Sequence, residues 1–290
     1  MRVAVVGLGG VGGYLAASFV KAGIDVVGFG RGEHLREIQK SGVRIVEDNK
    51  EWQVQLDAKE LREAEGVFDI VLFCVKSYDL PESYEGIKSH LREDSVVISF
   101  SNGVDNGERL RRLSGAKVLD GAVYILSHID KPGVIRKKGK VFAAIFGGES
   151  DAAQKLASLF EKAELRYKTP EDIKKALWKK YIFISAFATL TSYYDKPIAT
   201  IYREHQDEAK KLLREIAAVA KSEGIDIDDE VQKALDTASK LPSDASTSMH
   251  LDFQSKKRTE VESLSAFIAK KQDVKTPLMK QMYESLQLKA

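Results

Sequence analysis

The sequence predicts an α/β protein, with a doubly wound parallel sheet followed by an all-helical domain. Three observations point there. The chain opens on an apolar strand, a glycine cluster and an amphipathic helix in direct succession. Apolar strands then alternate with helical segments, the βαβ rhythm of a parallel sheet. From Thr169 onward every periodic segment has helical spacing. With 290 residues, 43% of them hydrophobic, the chain suffices for two cores, and the expected division is 1–168 and 169–290.

Val3 to Val6 form an apolar, largely β-branched run, as expected of a central strand covered on both faces. Five of the seven residues from Gly7 to Gly13 are glycines. After them Tyr14, Leu15, Phe19 and Val20 recur at helical spacing, and Gly23 stands where a helix-ending residue belongs. Gly7, Gly9 and Gly12 therefore fit G-x-G-x-x-G in its strand-turn-helix setting, the Rossmann-type dinucleotide fingerprint. The first glycine makes the turn, the second admits a pyrophosphate, and the third lets helix and strand pack closely. Residues Gly7, Leu8, Gly9, Gly10, Val11 and Gly12 are thus the expected coenzyme cradle, at a helix N-terminus. A glycine-rich turn without a ligand is the bland alternative.

About 20 residues on, NAD-binding folds usually carry an acidic residue for the ribose 2′-hydroxyl. Here strand two, Asp25 to Gly30, is followed by Arg31. A guanidinium holds a 2′-phosphate where a carboxylate would repel it, so NADP is the expected coenzyme. Two other readings stay open: a solvated Arg31, and Glu33 serving a ribose hydroxyl.

Further strands are expected at Asp69–Val75, Val96–Phe100, Lys117–Leu119 running on to Tyr124, Val134–Arg136 and Val141–Gly147. Lys137-Lys-Gly-Lys140 reads as the turn of a hairpin joining the last two, with Gly139 at positive φ. A helix over Asp151–Lys162 and a short strand over Leu165–Lys168 complete the domain. Thr169 then reads as an N-cap, Pro170 as a first helical residue, and Glu171 and Asp172 as first-turn acids. The helix so started, Glu171 to about Leu190, is apolar nearly all round after Lys180 and is therefore a buried one. Amphipathic helices are expected at Glu204–Glu223, Asp228–Leu241, Ser246–Lys271 and Pro277–Leu286.

Composition narrows the function. The formal charge is +2, and the basic clusters Arg136-Lys-Lys138 and Lys256-Lys-Arg258 are mixed with acids, so no nucleic-acid partner is expected. Cys74, the sole cysteine, lies in an apolar run and reads as a buried thiol; no metal site is expected. No apolar run approaches the roughly 18 residues of a membrane span, and no basic-then-apolar leader precedes the first strand. The expected compartment is the cytoplasm.

Ligands of open α/β sheets bind beyond the carboxyl ends of strands. Two such ends carry notable polar groups: Lys76 after Ile70–Val75, and Asn102 after Val96–Ser101. Their bland readings are a surface lysine and the turn former of Asn102-Gly103. Lys180 stands at the polar start of a buried helix, where an ammonium must reach solvent, a counter-charge or a ligand. Desolvation there lowers its pKa toward that of a proton donor working near neutrality. Lys179 competes for the role, though successive residues face different sides, while Trp178 reads as core. In Ser246-Thr-Ser248 the hydroxyls read as helix caps, and Asp252, Lys256 and Glu260 as an i+4 salt-bridged face.

The chain resembles the ketopantoate reductase family in G-x-G-x-x-G, Val75-Lys76, Ser101-Asn102-Gly103, Trp178-x-Lys180, Ser248-Met249 and Arg258-Thr259-Glu260, found in the family's order over nearly the full length. That resemblance implies NADPH-dependent reduction of a 2-keto acid, most simply 2-dehydropantoate in pantothenate biosynthesis, by a possible homodimer. It implies Lys180 as general acid, with Lys76 and Asn102 lining the nicotinamide cleft between domains. Asn102 and Ser248 would bind substrate, Ser248 at the carboxylate, and Glu260 would orient hydroxyls of substrate or coenzyme. The sequence departs from the family at Ile184, Ala188 and Ile198, where well-known members carry asparagines that hydrogen-bond the substrate. A less polar 2-keto acid suits these residues better. An opine or 3-hydroxyacid type dehydrogenase and a non-catalytic NADP sensor are the alternatives. One tension remains: in a single helix Ser248 and Glu260 would stand about 18 Å apart, at about 1.5 Å per residue.

Overall fold

The computed structural model describes residues 1–289. These form two compact units: Met1–Ser101 with Asp105–Ile173, and Asn102–Val104 with the residues from Lys174 onward.

The first unit is built on a mixed sheet. Its elements are β1 (Arg2–Val6), α1 (Gly10–Lys21), β2 (Asp25–Phe29), α2 (Gly32–Ser41), β3 (Val43–Glu47), β4 (Lys50–Val54), β5 (Asp57–Lys59), β6 (Ile70–Phe73), α3 (Leu80–Glu85), β7 (Val96–Ser99), α4 (Asn106–Leu113), β8 (Lys117–Lys131), β9 (Val134–Gly147), α5 (Ser150–Lys162) and β10 (Tyr167–Lys168). The parallel part has the order β5-β2-β1-β6-β7-β8, the doubly wound order, with its switch point between β1 and β6. Alternate residues of each strand feed two cores: Val3, Val5, Ile70 and Leu72 on one face, Ala4, Val6, Val71 and Phe73 on the other. Burial on both faces is why these strands read as unbroken apolar runs. Helix α1 ends as its sequence predicts, with Gly23 at φ 70° and the Gly23 and Ile24 amides donating to the Val20 and Phe19 carbonyls, a Schellman cap.

Three expectations for this unit need correction. The hairpin is formed by β8 and β9, antiparallel from Asp120↔Gly147 to Lys131↔Val134, and its turn is Pro132-Gly133, with Gly133 at φ 74°. Val134–Arg136 and Val141–Gly147 belong to one strand. Gly139 does have positive φ, 66°, but in an irregular stretch of β9 whose Gly139 amide donates to the Asp48 carboxylate. Second, β3, β4 and β5 were not anticipated: β3 pairs parallel to β9 and antiparallel to β4, and β5 pairs with β2. Third, Thr169 and Pro170 precede the next helix without capping it, because that helix starts at Ile173.

The second unit is helical among its described residues: α6 (Ile173–Tyr194), α7 (Ile198–Glu204), α8 (Gln206–Ser222), α9 (Glu230–Ser239), α10 (Ser248–Gln254), a π-helical turn (Glu262–Ala266) running into α11 (Phe267–Ala269), and α12 (Pro277–Gln287). Helix α6 is buried along most of its length, Trp178 included. Two of its buried hydroxyls bond to backbone, Ser185 and Thr189 donating to the carbonyls of Leu264 and Ser185 at 2.6 and 2.8 Å, whereas Ser192 Oγ has no hydrogen-bond partner among the described residues. The expected helix over Ser246–Lys271 is broken: α10 ends at Gln254 and Lys256 adopts φ 51°. The helix expected over Glu204–Glu223 is α8, Gln206–Ser222, and the short α7 ahead of it, ending at Glu204, was not anticipated. No helix among the described residues is long and apolar enough to cross a membrane.

Candidate active site

The glycine turn leaves β1 at the switch point. Gly7 has φ 97°, and a Cβ there would lie 2.8 Å from the Val75 amide nitrogen, so both conformation and neighbour exclude a side chain. A Cβ on Gly12 would lie 2.0 Å from the Gly7 carbonyl oxygen, which is the close helix-strand packing the motif requires. Gly9 differs. A Cβ there meets no atom within 4 Å, so its backbone is open to an approaching group. Gly9 is also the N-cap of α1, with no side chain capping the helix and no acid in its first turn. The first intrahelical bond is Gly13 N–H to Gly9 C=O, so the amides of Gly10, Val11 and Gly12 have no partner within the helix, as at any helix start. A dinucleotide pyrophosphate fits this cradle. Leu8 contributes backbone only, since its side chain is buried against Gly28 and Gly30.

Arg31 follows β2 as the N-cap of α2. Its side chain is 84% exposed, and its guanidinium lies 3.0 Å from the Asp79 carboxylate. Lys76 follows β6 and precedes the 3-10 turn Ser77–Asp79. The loops after β6 and β7 are laced together: Ser101 Oγ donates to the Val75 carbonyl at 2.6 Å, Asn106 Nδ2 to the Ser101 carbonyl at 3.1 Å, and Arg109 to the Ser77 carbonyl at 3.0 Å. Gly7, Lys76 and Ser101 therefore share the carboxyl edge of β1, β6 and β7.

Lys180, Asn102 and Glu260 meet in the second unit. Lys180 Nζ donates to Asn102 Oδ1 at 3.2 Å. Burial pulls the Lys180 ammonium down to about 8, and the Glu260 carboxylate partly offsets that. Glu260 is itself only 3% exposed. It is held ahead of the π-helical turn, its carbonyl accepting from the Ser263 and Leu264 amides, while Tyr181 Oη and Ser185 Oγ tie that turn to α6. Lys179 faces elsewhere, its Nζ 3.5 Å from Glu230 of α9. The facing of α6 thus distinguishes the two lysines.

Ser248 opens α10, but the cap is Thr247, whose hydroxyl accepts from the His250 amide at 3.2 Å; Ser248 stays exposed. Because the helix breaks before Glu260, the separation imposed by one continuous helix does not apply to Ser248 and Glu260. The i+4 ladder of Asp252, Lys256 and Glu260 is lost for the same reason. Helix α10 is anchored by a group the sequence analysis passed over. His250 Nδ1 lies 2.6 Å from Ser246 Oγ and its Nε2 donates to Asp195 Oδ1 at 2.7 Å, and Thr247 meets Thr191 at 2.9 Å. The Ser-x-x-x-His spacing was its one visible signal.

Comparison with known proteins agrees with this arrangement. Residues 3–148 match the family Ketopantoate reductase PanE/ApbA, and residues 172–290 match its C-terminal domain. The chain belongs to the ketopantoate reductase family. It is an oxidoreductase of that family. The uncharacterized oxidoreductase YkpB of Bacillus subtilis is 29% identical, over 99% of this chain and 98% of that protein. Among solved structures, a PanE/ApbA family ketopantoate reductase from Ralstonia eutropha is 28% identical with TM-score 0.93, covering 100% of this chain and 98% of its own. A 2-dehydropantoate 2-reductase from Porphyromonas gingivalis is 30% identical with TM-score 0.85, covering 99% of both chains.

Proposed function

We propose that this ketopantoate reductase family member uses NADPH to reduce a 2-keto acid to the 2-hydroxy acid, with residues 1–168 holding the coenzyme and 169–290 carrying the catalytic and substrate groups. The observation that carries the reading is Lys180, an ammonium lowered to about 8 by burial and held 3.2 Å from Asn102 Oδ1. A proton donor of that strength suits chemistry near neutrality.

The coenzyme site is Gly7, Leu8, Gly9, Gly10, Val11 and Gly12 at the pyrophosphate and Arg31 at the 2′-phosphate, with Lys76, Asn102 and Glu260 nearer the nicotinamide. When bound, the reduced nicotinamide supplies a hydride. Lys180 Nζ stabilises the charge growing on the keto oxygen and delivers the proton to it. The Asn102 side chain, whose Oδ1 accepts from Lys180, helps to bind the substrate. Ser248, exposed at the start of α10, donates to the substrate carboxylate. Glu260 keeps Lys180 charged and accepts from hydroxyls.

2-Dehydropantoate is the first substrate to test. A second reading, a 2-keto acid with an apolar side chain, is favoured by Ile184, Ala188 and Ile198, of which Ala188 and Ile198 are buried in the apolar core of the second unit. A panel of 2-keto acids assayed by NADPH absorbance decides between them. Highest kcat/KM for 2-dehydropantoate supports the first reading, and for branched or aromatic keto acids the second. Turnover requiring an amino acid as well indicates the opine type, and absence of turnover with tight NADPH binding indicates a sensor.

A further inference from the structure

The glycine turn is held by a side chain outside its own motif. His34 lies in the first turn of α2, three residues after Arg31. Its Nδ1 accepts the Gly133 amide hydrogen at 3.1 Å, and its Nε2 lies 2.9 Å from the Leu8 carbonyl oxygen. An imidazole that accepts at Nδ1 carries its proton on Nε2, so the ring is neutral, in one tautomer, and donates to Leu8. Burial of the ring lowers its pKa and favours that neutral form. Both ring nitrogens are thus engaged, one in the coenzyme turn and one in the turn of the β8–β9 hairpin. The hairpin also abuts the glycines directly: a Cβ on Gly10 would lie 2.5 Å from the Ser127 carbonyl oxygen.

We propose that His34 is a positioning residue for dinucleotide binding, a neutral imidazole strut that fixes the Leu8 carbonyl against the β8–β9 hairpin and so presets the amides of Gly9–Gly12 for the pyrophosphate. The inference rests on the reading of Gly7–Gly12 as a coenzyme turn. Its physical content is preorganisation, because a turn already fixed loses less freedom on binding. Since His34 and Arg31 start the same helix, the strut also fixes the pyrophosphate turn relative to the 2′-phosphate reader.

Calorimetry of NADPH binding to the full chain and to His34→Asn and His34→Gln tests it. Asparagine keeps an acceptor for the Gly133 amide but is too short for Leu8, whereas glutamine places an amide N–H near the Nε2 position. His34→Asn should weaken NADPH about tenfold, the cost of one lost hydrogen bond with a carbonyl left unpaired, and raise its KM more than it lowers kcat. His34→Gln should recover most of the loss. The fragment adenosine 2′-monophosphate, which carries the 2′-phosphate for Arg31 but no phosphate at the 5′ position, should bind both variants as it binds the wild type. The proposal is overturned if His34→Asn binds NADPH normally, if His34→Gln is as weak as His34→Asn, or if adenosine 2′-monophosphate loses as much as NADPH. Wild-type protein that binds neither NADPH nor NADH would instead remove the coenzyme reading on which the proposal stands.

Discussion

The glycine turn of the first unit and the lysine cluster of the second are built by opposite means. At Gly7–Gly12 the sequence lays backbone bare by omitting side chains: Gly7 has no room for a Cβ, and the backbone of Gly9 faces open space. At Lys180 the acting atom ends a long side chain, and its chemistry is set by two other side chains, Asn102 and Glu260. A backbone arrangement can be read from spacing alone, because three glycines at fixed offsets define it. A side-chain cluster depends on which way one helix faces, and Lys179 beside Lys180, directed to Glu230, shows how little in the local sequence separates a buried lysine from a surface ion pair.

The comparison would break first at the lysines. Lys180→Ala should lower kcat by about 10²–10⁴, the usual contribution of a positioned acid, with NADPH affinity nearly unchanged. Lys179→Ala, which removes one half-exposed ion pair, should leave kcat within about twofold. Stopped-flow turnover at saturating NADPH measures both. A normal Lys180→Ala and an inactive Lys179→Ala would mean that α6 presents the other lysine to the substrate.

In the first unit the corresponding test is Arg31, the one side chain assigned to coenzyme choice. Arg31→Ala should weaken NADPH by about 1.5–3 kcal/mol, the range for a hydrogen bond to a charged group. It also leaves the Asp79 carboxylate, now 3.0 Å from the guanidinium, without that positive partner near the 2′-phosphate. NADH binding should barely change. Equal affinity of the unmutated protein for the two coenzymes would refute the assignment.

How much of this was legible in the sequence follows the same division. The strand, glycine turn and Schellman-capped helix were readable because each depends on residues close in sequence. Lys180 was readable because a charged residue leading an apolar helix is a local contradiction that only a partner resolves. The β8–β9 turn was misplaced because Lys137-Lys-Gly-Lys140 looks polar and flexible, whereas Pro132-Gly133, with Pro before a positive-φ glycine, is the stronger turn signal. The β3–β4 hairpin was passed over although Val43, Ile45, Trp52 and Val54 alternate with polar residues around Asp48-Asn49. The break after Gln254 has no proline or glycine to announce it; Lys256 takes φ 51° in a local cap, its amide donating to the Phe253 carbonyl and that of Lys257 to the Asp252 carbonyl. His34 and His250 were invisible for a related reason, since each has a key partner far along the chain.

A pH profile sharpens the comparison with a smaller effect. On the proposed reading Lys180 serves as an acid only while protonated, and burial lowers it to about 8. The protonated fraction falls as pH rises through that value, so kcat/KM should show an alkaline limb near pH 8 that Lys180→Ala abolishes. Glu260 raises the Lys180 value, so Glu260→Gln should move the limb to lower pH as well as raise KM. A limb unmoved by Glu260→Gln would mean that another group titrates there.

The smallest expected effect separates the two sites most cleanly. Thr247 caps α10 through the His250 amide and meets Thr191 of α6 at 2.9 Å, so it fixes the start of the helix on which Ser248 stands, without itself facing substrate. Thr247→Ala should cost about 1 kcal/mol of stability, the usual loss for a deleted N-cap, seen as a melting midpoint lower by about 2–4 °C. Thr247→Ser, which keeps the accepting oxygen, should restore most of it. Because the disturbed helix belongs to the second unit, the KM of the keto acid should rise while the dissociation constant of NADPH stays the same. If Thr247→Ala weakened coenzyme and keto acid equally, the division of labour between a backbone-built and a side-chain-built site would have to be given up.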